Sequence, residues 1–280
     1  MSERPAWVAE EIDIEAPSVA RMYDFFLGGS HNFAADRQLA EQALGVFPDA
    51  PFVVRANRAF LRRAVTLLCR EGIEQFLDLG SGIPTVGNVH EVVHAVRPRA
   101  RVVYVDSDPV AYAHGATLLR DEPYVRVLHA DLRDTAAVLQ QAAEAGGLDF
   151  ARPVAVLLVS VLPFIPDADD PAAIVAAYRD ATAEGSYLAI SHGTNDYQPR
   201  TVGEVERVYT RTAQPGVFRG RAEILALMPG YELLAPGLAD AIHWRPDPQD
   251  QHPDPLGGDV ARYNLLVAVG RKALDATQRS

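Results

Sequence analysis

One short stretch constrains this chain more than any other. Residues Glu74 to Pro84 read Glu-Gln-Phe-Leu-Asp-Leu-Gly-Ser-Gly-Ile-Pro. The apolar run Phe76 to Leu79 predicts a short buried strand. Gly80, Ser81 and Gly82 predict a tight turn, with a helix beginning near Gly87. A glycine turn at the carboxyl end of a first parallel strand lets a ligand come close to the backbone. Asp78 stands at that edge as a fixed carboxylate. A dinucleotide fingerprint wants a third glycine at position 85, where this chain has Thr85.

The rest of the chain supplies alternating elements on either side of this turn. Residues 1 to 17 are polar and carry Pro5 and Pro17, which predicts an extended arm. Ser18 is placed to cap a helix running to about Leu27, stopped by Gly28 and Gly29. A second short helix is predicted over Asp36 to Leu44. A longer one follows over Phe52 to Arg70, with Phe60, Leu61, Ala64, Val65, Leu67 and Leu68 on one face. Further strands are predicted at Arg101–Asp106, Val125–His129, Val154–Ser160, Ser186–His192, Tyr231–Leu234 and Tyr263–Val269. Helices are predicted between most of them, including Thr201–Thr212 and Arg219–Met228. The pattern predicts an open, mostly parallel α/β sheet with helices on both faces. The last two strands have no helix between them, which predicts an antiparallel end strand. Residues 1–72 read as a helical extension and 73–280 as the α/β domain.

Composition removes several classes of function. Of 280 residues, 48% are hydrophobic and 22% charged, as in a globular domain with a full core. The net charge of −11 opposes a nucleic-acid partner, which needs a basic field. Cys69 is the single cysteine, so no intrachain disulfide forms and a structural zinc site is disfavoured. The first residues lack the apolar core of a signal peptide, and no apolar run reaches the roughly 20 residues of a membrane span. The expected setting is the cytoplasm.

In such sheets ligands sit outside the carboxyl ends of the strands. Those ends carry Asp78, Gly80 and Gly82, then Asp106 and Asp108, then Asp131 and Leu132, then Ser160, then His192. Asp106 follows Gly82 by 24 residues, close to the spacing of a ribose-binding acid. Asp131 is placed to accept from an adenine amine. Each acid also has a plain reading: Asp106 and Asp108 as caps of the helix that starts at Pro109, and Asp131 as the cap of a turn. A dinucleotide would bring a pyrophosphate to the helix N-terminus. A ligand made of adenosine, a sulfonium and an amino acid carries no phosphate, and both Thr85 and Asp78 favour it.

The motifs Asp78-Leu-Gly-Ser-Gly82, Val-Val-Tyr-Val-Asp106, Ala-Asp131-Leu and Asn264-Leu-Leu-Val-Ala-Val-Gly-Arg-Lys resemble those of the class I S-adenosylmethionine-dependent methyltransferases. The segment Ser18 to Asp36, Arg55-Ala-Asn-Arg58, Val159 to Pro171 and Ser191 to Asp196 are similar to an actinobacterial methyltransferase family of largely undefined function. That resemblance spans nearly the whole chain. It implies a Rossmann-like, seven-stranded sheet with the last strand antiparallel, and S-adenosylmethionine as cofactor. One position departs from the family's pattern. Leu162-Pro163-Phe164 stands where Val-Leu-His-Phe is usual, so a histidine touching the acceptor there has no counterpart.

On this reading Asp106 holds the ribose hydroxyls and Asp131 the adenine amine. Gly80 and Gly82 admit the methionine part, and Asp78 acts on its amino group. Tyr23, Gly28, Gly29, His31, Asn32 and Arg58 form a lid, with Arg58 pairing the methionine carboxylate. The plain alternative docks this helix through Phe25, Phe26 and Phe33. His192, His31 and Tyr23 are the candidate general bases. His90, His94, His114 and His129 have no partner pattern. Tyr197, Tyr209 and Phe218 fall where such folds build acceptor pockets. Asp167, Asp169 and Asp170 read as a helix start before Pro171, with a metal site as the lesser alternative, and no metal ligand is assigned. The acceptor is a small molecule. The rivals are a non-catalytic S-adenosylmethionine-binding protein and an NAD-dependent oxidoreductase. A base methyltransferase is disfavoured by the acidity and by the lack of a Pro-Pro-aromatic step after the fourth strand.

Overall fold

In the computed structural model, residues 13–84, 87–247 and 255–273 are described. Thr85, most of the N-terminal arm and part of the Pro-rich loop before the last strand lie outside them. Three helices come first: α1 (Val19–Phe26), α2 (Ala34–Val46) and α3 (Ala50–Arg70). The alternating part follows as β1 (Gln75–Leu79), α4 (Val89–Val96), β2 (Arg101–Asp106), α5 (Pro109–Leu118), β3 (Val125–His129), α6 (Thr135–Glu144) and β4 (Ala155–Val159). It continues through α7 (Pro171–Ala181), β5 (Tyr187–Gly193), α8 (Pro199–Tyr209), α9 (Arg221–Ala226), β6 (Tyr231–Leu233), β7 (Ala239–Asp240), α10 (Val260–Tyr263) and β8 (Leu265–Lys272).

The strands form one sheet in the order β3-β2-β1-β4-β5-β8-β6, and β7 also pairs with β8. Strands β1 to β5 are parallel, while β8 is antiparallel to β5, β6 and β7. All five residues of β1 are buried, as expected of a strand covered on both faces. Prolines at first helical turns and aspartate caps start the crossover helices. Asp108 accepts from the Val110 and Ala111 amides, Asp134 from Ala137, and Asp170 from Ala173.

Two expectations change. The described sheet has eight strands, because the two residues of β7 are too few to leave an alternating pattern in sequence. The antiparallel strand is last in the chain but lies between β5 and β6 rather than at the sheet's end. Its start also moves. Tyr263 closes α10, and Asn264 adopts a left-handed backbone (φ 46°) that turns the chain into β8. The two helices before β6 keep their places with shifted ends.

One face of the sheet packs on α3. Phe60, Ala64, Val65 and Leu68 join Phe76, Val102, Leu157, Ala189, Val267 and Trp244 in one buried cluster. The Phe60 and Trp244 rings meet edge-on at 5.2 Å. Arg63 donates to the carbonyls of Trp244 and Ala241, at 3.0 and 2.6 Å. By contrast α1 and α2 form a small cluster of their own, Met22, Phe26, Leu39, Ala40 and Ala43, which meets α3 at Val54. Truncating Phe60 to Ala should therefore cost about 3–5 kcal/mol of stability in urea unfolding, as for an aromatic of the central core.

Candidate functional site

The carboxyl ends of β1, β2, β3 and β4 open into a cleft of about 1100 Å³, roofed by α1 and α3. Its described walls include Tyr23, Asp24, Asn57, Arg58, Asp78, Gly80, Gly82, Asp106, Asp131, Leu132, Ser160 and Phe164. At the floor, Gly80 has a left-handed backbone (φ 69°), and a Cβ there would lie 2.3 Å from Val161 Cγ2. No other residue type fits that turn without displacing the chain after β4. Gly82 also lies at positive φ, and its amide donates to Asp106 Oδ2 at 2.6 Å. The other Asp106 oxygen accepts from the Asp108 amide at 2.8 Å. Asp106 thus turns towards the glycine loop, while Asp108 serves as the cap of α5 and stays out of the cleft wall. Of the readings open in sequence, the helix cap holds for Asp108.

Burial governs the chemistry here. Loss of water raises Asp78 to about 7, with Arg58 opposing and Asp106 adding to the shift. Asp106 is likewise raised by burial to about 6, against the two amides that hold it. Asp131 is lowered, chiefly by its hydrogen bonds from Arg133. Arg133 donates to both Asp131 oxygens and to Asp169. The Asp131 carboxylate therefore meets the cleft already paired, in part as the turn residue that sequence allowed.

Two buried carboxylates shape the roof. Asp36 accepts from the Ser18 amide, the Phe33 amide and Arg21 Nε, so it ties the start of α1 to the start of α2. Asp24 Oδ2 accepts from the His31 amide and Asn32 Nδ2, folding the Gly28–Asn32 loop around it. A Cβ on Gly29 would fall 2.0 Å from Asp24 Oδ1, which accounts for that glycine. Asp24 Oδ1 itself is buried without a hydrogen bond, packed against Gly29. Sequence reasoning set Asp24 within the glycine-rich motif but gave it no role. The guanidinium of Arg58 lies 5.7 Å from the Tyr23 ring.

Gly28, Gly29, His31 and Asn32 support the roof from behind and do not line the cleft. His31 packs on His114 with ring centres 3.8 Å apart and planes tilted by 41°. His192 is also not brought to the cleft. It is fully buried, bonded through Nδ1 to the Gly193 carbonyl at 2.6 Å and through Nε2 to Arg219 at 3.1 Å. Burial lowers it to about 4, so it stays neutral and packed. Neither histidine is positioned as a base at this site. Tyr23 is in the wall, but burial raises its phenol. Its hydroxyl donates to the Val54 carbonyl and accepts from Asn57 Nδ2. Asn57 Oδ1 accepts from Ser191, and Ser191 bonds Ser160 at 3.1 Å. Asn57 was missed; its signal was its place inside the Arg55-Ala-Asn-Arg58 motif. Among the described residues no cluster suited to a metal ion occurs, and no helix is long and apolar enough to cross a membrane.

The model of the S-adenosyl methyltransferase family matches residues 5–273. The chain belongs to that family. It is an S-adenosylmethionine-dependent methyltransferase of Rossmann-like class I fold, with an acceptor that the comparisons leave open. A solved structure of a duf574 family protein from Streptomyces avermitilis MA-4680 is 36% identical, covering 94% of this chain and 100% of its own, with a TM-score of 0.88. A methyltransferase structure from Thermobifida fusca YX is 38% identical, covering 96% and 100%, also with a TM-score of 0.88. No curated protein matches the chain.

The site fits a cationic ligand. Asp78 and Asp106 are buried carboxylates in a cleft where Arg133 is already paired and Arg58 is the other cation of the wall. The sign of the pH effect follows. Asp78 and Asp106 bind a proton more tightly folded than unfolded. That favours the folded state fully below the usual carboxylate range near 4, and the advantage is lost as pH rises through about 6 and about 7. Without ligand, stability should fall over this range. Asp78→Asn should stabilise the free protein by ~1–4 kcal/mol near pH 8 and by little near pH 4, as read from denaturant midpoints.

Proposed function

We propose that the acid-rich cleft at the ends of β1 and β2 holds S-adenosylmethionine for methyl transfer to a small-molecule acceptor. The observation that carries this is the convergence of Asp78 and Asp106 on a glycine turn, in a place dry enough to raise both of them. Bound there, the cofactor supplies a methyl group activated by its sulfonium.

The chain's own residues divide the work. Asp106, held by two backbone amides, has lone pairs left to accept the ribose hydroxyls. Gly80 and Gly82 keep side chains out of the way of the methionine part. Asp78 attracts the ammonium, and Arg58 meets the carboxylate. Leu132 and Ile165 supply apolar wall, and Asp131 with Arg133 borders the outer end. Tyr23 and Asn57 fix the roof over the strand ends. The 1–72 segment acts as a helical lid, with the Gly28–Asn32 loop as its brace rather than its contact face. Excluding water strengthens the electrostatic attraction between these acids and a cation.

The acceptor is a small molecule rather than a nucleic acid, in keeping with the net charge of −11. We place the enzyme in the cytoplasm of an actinobacterium, as the Streptomyces and Thermobifida relatives suggest. Calorimetric titration with S-adenosylmethionine should show binding that tightens by about tenfold or more from pH 5.5 to pH 8, as the raised acids ionise. Asp106→Ala should weaken it by ~10–100-fold, the worth of hydrogen bonds to a charged group. Heat with NAD and none with S-adenosylmethionine would overturn the proposal. Formation of S-adenosylhomocysteine in the presence of a cell extract separates an enzyme from a silent binder.

A further inference from the structure

A second cavity of about 890 Å³ adjoins the cofactor cleft, sharing Val19, Tyr23, Ser160 and Phe164 with it. It lies between α1, α2 and the first turns of α3 on one side and α8 with the loop before α9 on the other. Its described lining contains no Asp, Glu, Lys, Arg or His. Aromatic rings make much of the wall: Phe47, Phe164, Tyr209, Phe218 and Tyr263. Phe164 and Tyr209 meet edge-on at 5.3 Å. Burial raises Tyr209 to about 12, so its phenol stays neutral. A formal charge brought into this space would find no counter-ion and would carry the cost of lost water unopposed.

Besides the hydroxyls of Thr201 and the tyrosines, two polar side chains mark the wall. Asn264 is 6% exposed, and both its side-chain oxygen and nitrogen are buried with no hydrogen-bond partner. A buried amide with both ends unmet is costly, and native structures rarely leave one so. Ser160, held at φ 56°, is the second. Its hydrogen-bond chain has a direction. Tyr23 donates to the Val54 carbonyl, Asn57 Nδ2 to Tyr23, and Ser191 to Asn57 Oδ1. Ser191 has then spent its proton, so Ser160 must donate to it. Ser160 is left with acceptor capacity only, at the junction of the two cavities.

We propose that this cavity seats the methyl acceptor, and that the acceptor is an uncharged, ring-bearing, largely apolar molecule with an N–H or O–H at the Ser160 end and a paired donor and acceptor against the Asn264 amide. This rests on the first cavity being the cofactor site. The rings offer stacking and edge contacts to a flat molecule, Asn264 fixes its register, and Ser160 orients the edge nearest the cofactor.

The test uses three probes on the full chain, followed by saturation-transfer NMR with and without S-adenosylhomocysteine. They are 2-quinolone (a neutral ring lactam), naphthalene (no polar edge) and 4-hydroxyquinoline-2-carboxylate (charged). The lactam should bind at least about fivefold tighter than either of the others. Asn264→Gly, which accepts the left-handed backbone, should weaken the lactam by about fivefold or more while leaving S-adenosylhomocysteine affinity within about twofold. Val202→Phe, which fills the cavity from α8, should abolish lactam binding with the same cofactor affinity. Equal or tighter binding of the carboxylate overturns the proposal. So does a lactam that fails to bind the wild type, or one indifferent to both substitutions. Lactam binding with no affinity for S-adenosylhomocysteine would instead overturn the cofactor reading alone.

Discussion

Dehydration of carboxylates at the ends of β1 and β2 is the constraint on which the site depends. Asp78 and Asp106 sit where parallel strands stop, roofed by helices, and water is too scarce to solvate both charges. The fold tolerates this because two backbone amides hold Asp106 and because Arg58 lies across from Asp78. What remains is a site short of positive charge, which on the proposed reading a sulfonium with an ammonium supplies.

Polar pins inside the helical front maintain that dryness. Asp36 spends both oxygens, and Asp24 one, on the residues that flank and join the first two helices. They shape a short segment whose own apolar cluster is small. The third helix belongs to the central core, so the roof is anchored by α3 and braced by α1 and α2. The Ser160–Ser191–Asn57–Tyr23 chain then links roof to sheet with each proton assigned. That assignment gives the junction between the cavities a defined polarity.

Much of this was legible because it is local. The glycine turn follows from Gly80 and Gly82 with a buried apolar strand before them, and the acids at successive strand ends follow from counting. Other parts resisted for physical reasons. Asp106 and Asp108 are equally good caps on paper; the chain direction after β2 sends only Asp108 to the helix. His192 has the chemistry of a base in any sequence, but the turn after β5 buries it against Arg219. Asp24 carries no mark in sequence to show that one oxygen would be used and the other left over.

By itself the sequence determined the alternation of strands and helices, the place of the glycine turn and the acidic character of the cleft, since periodicity and residue type act over a few neighbours. Only the tertiary structure decided the insertion of β8 between β5 and β6, which sets Asn264 at the corner of the second cavity. It also decided which carboxylate turns to the glycine loop and which caps a helix. Those outcomes depend on contacts between segments far apart in the chain, as when Ser191 reaches Asn57 across 134 positions, and no local pattern encodes such a distance.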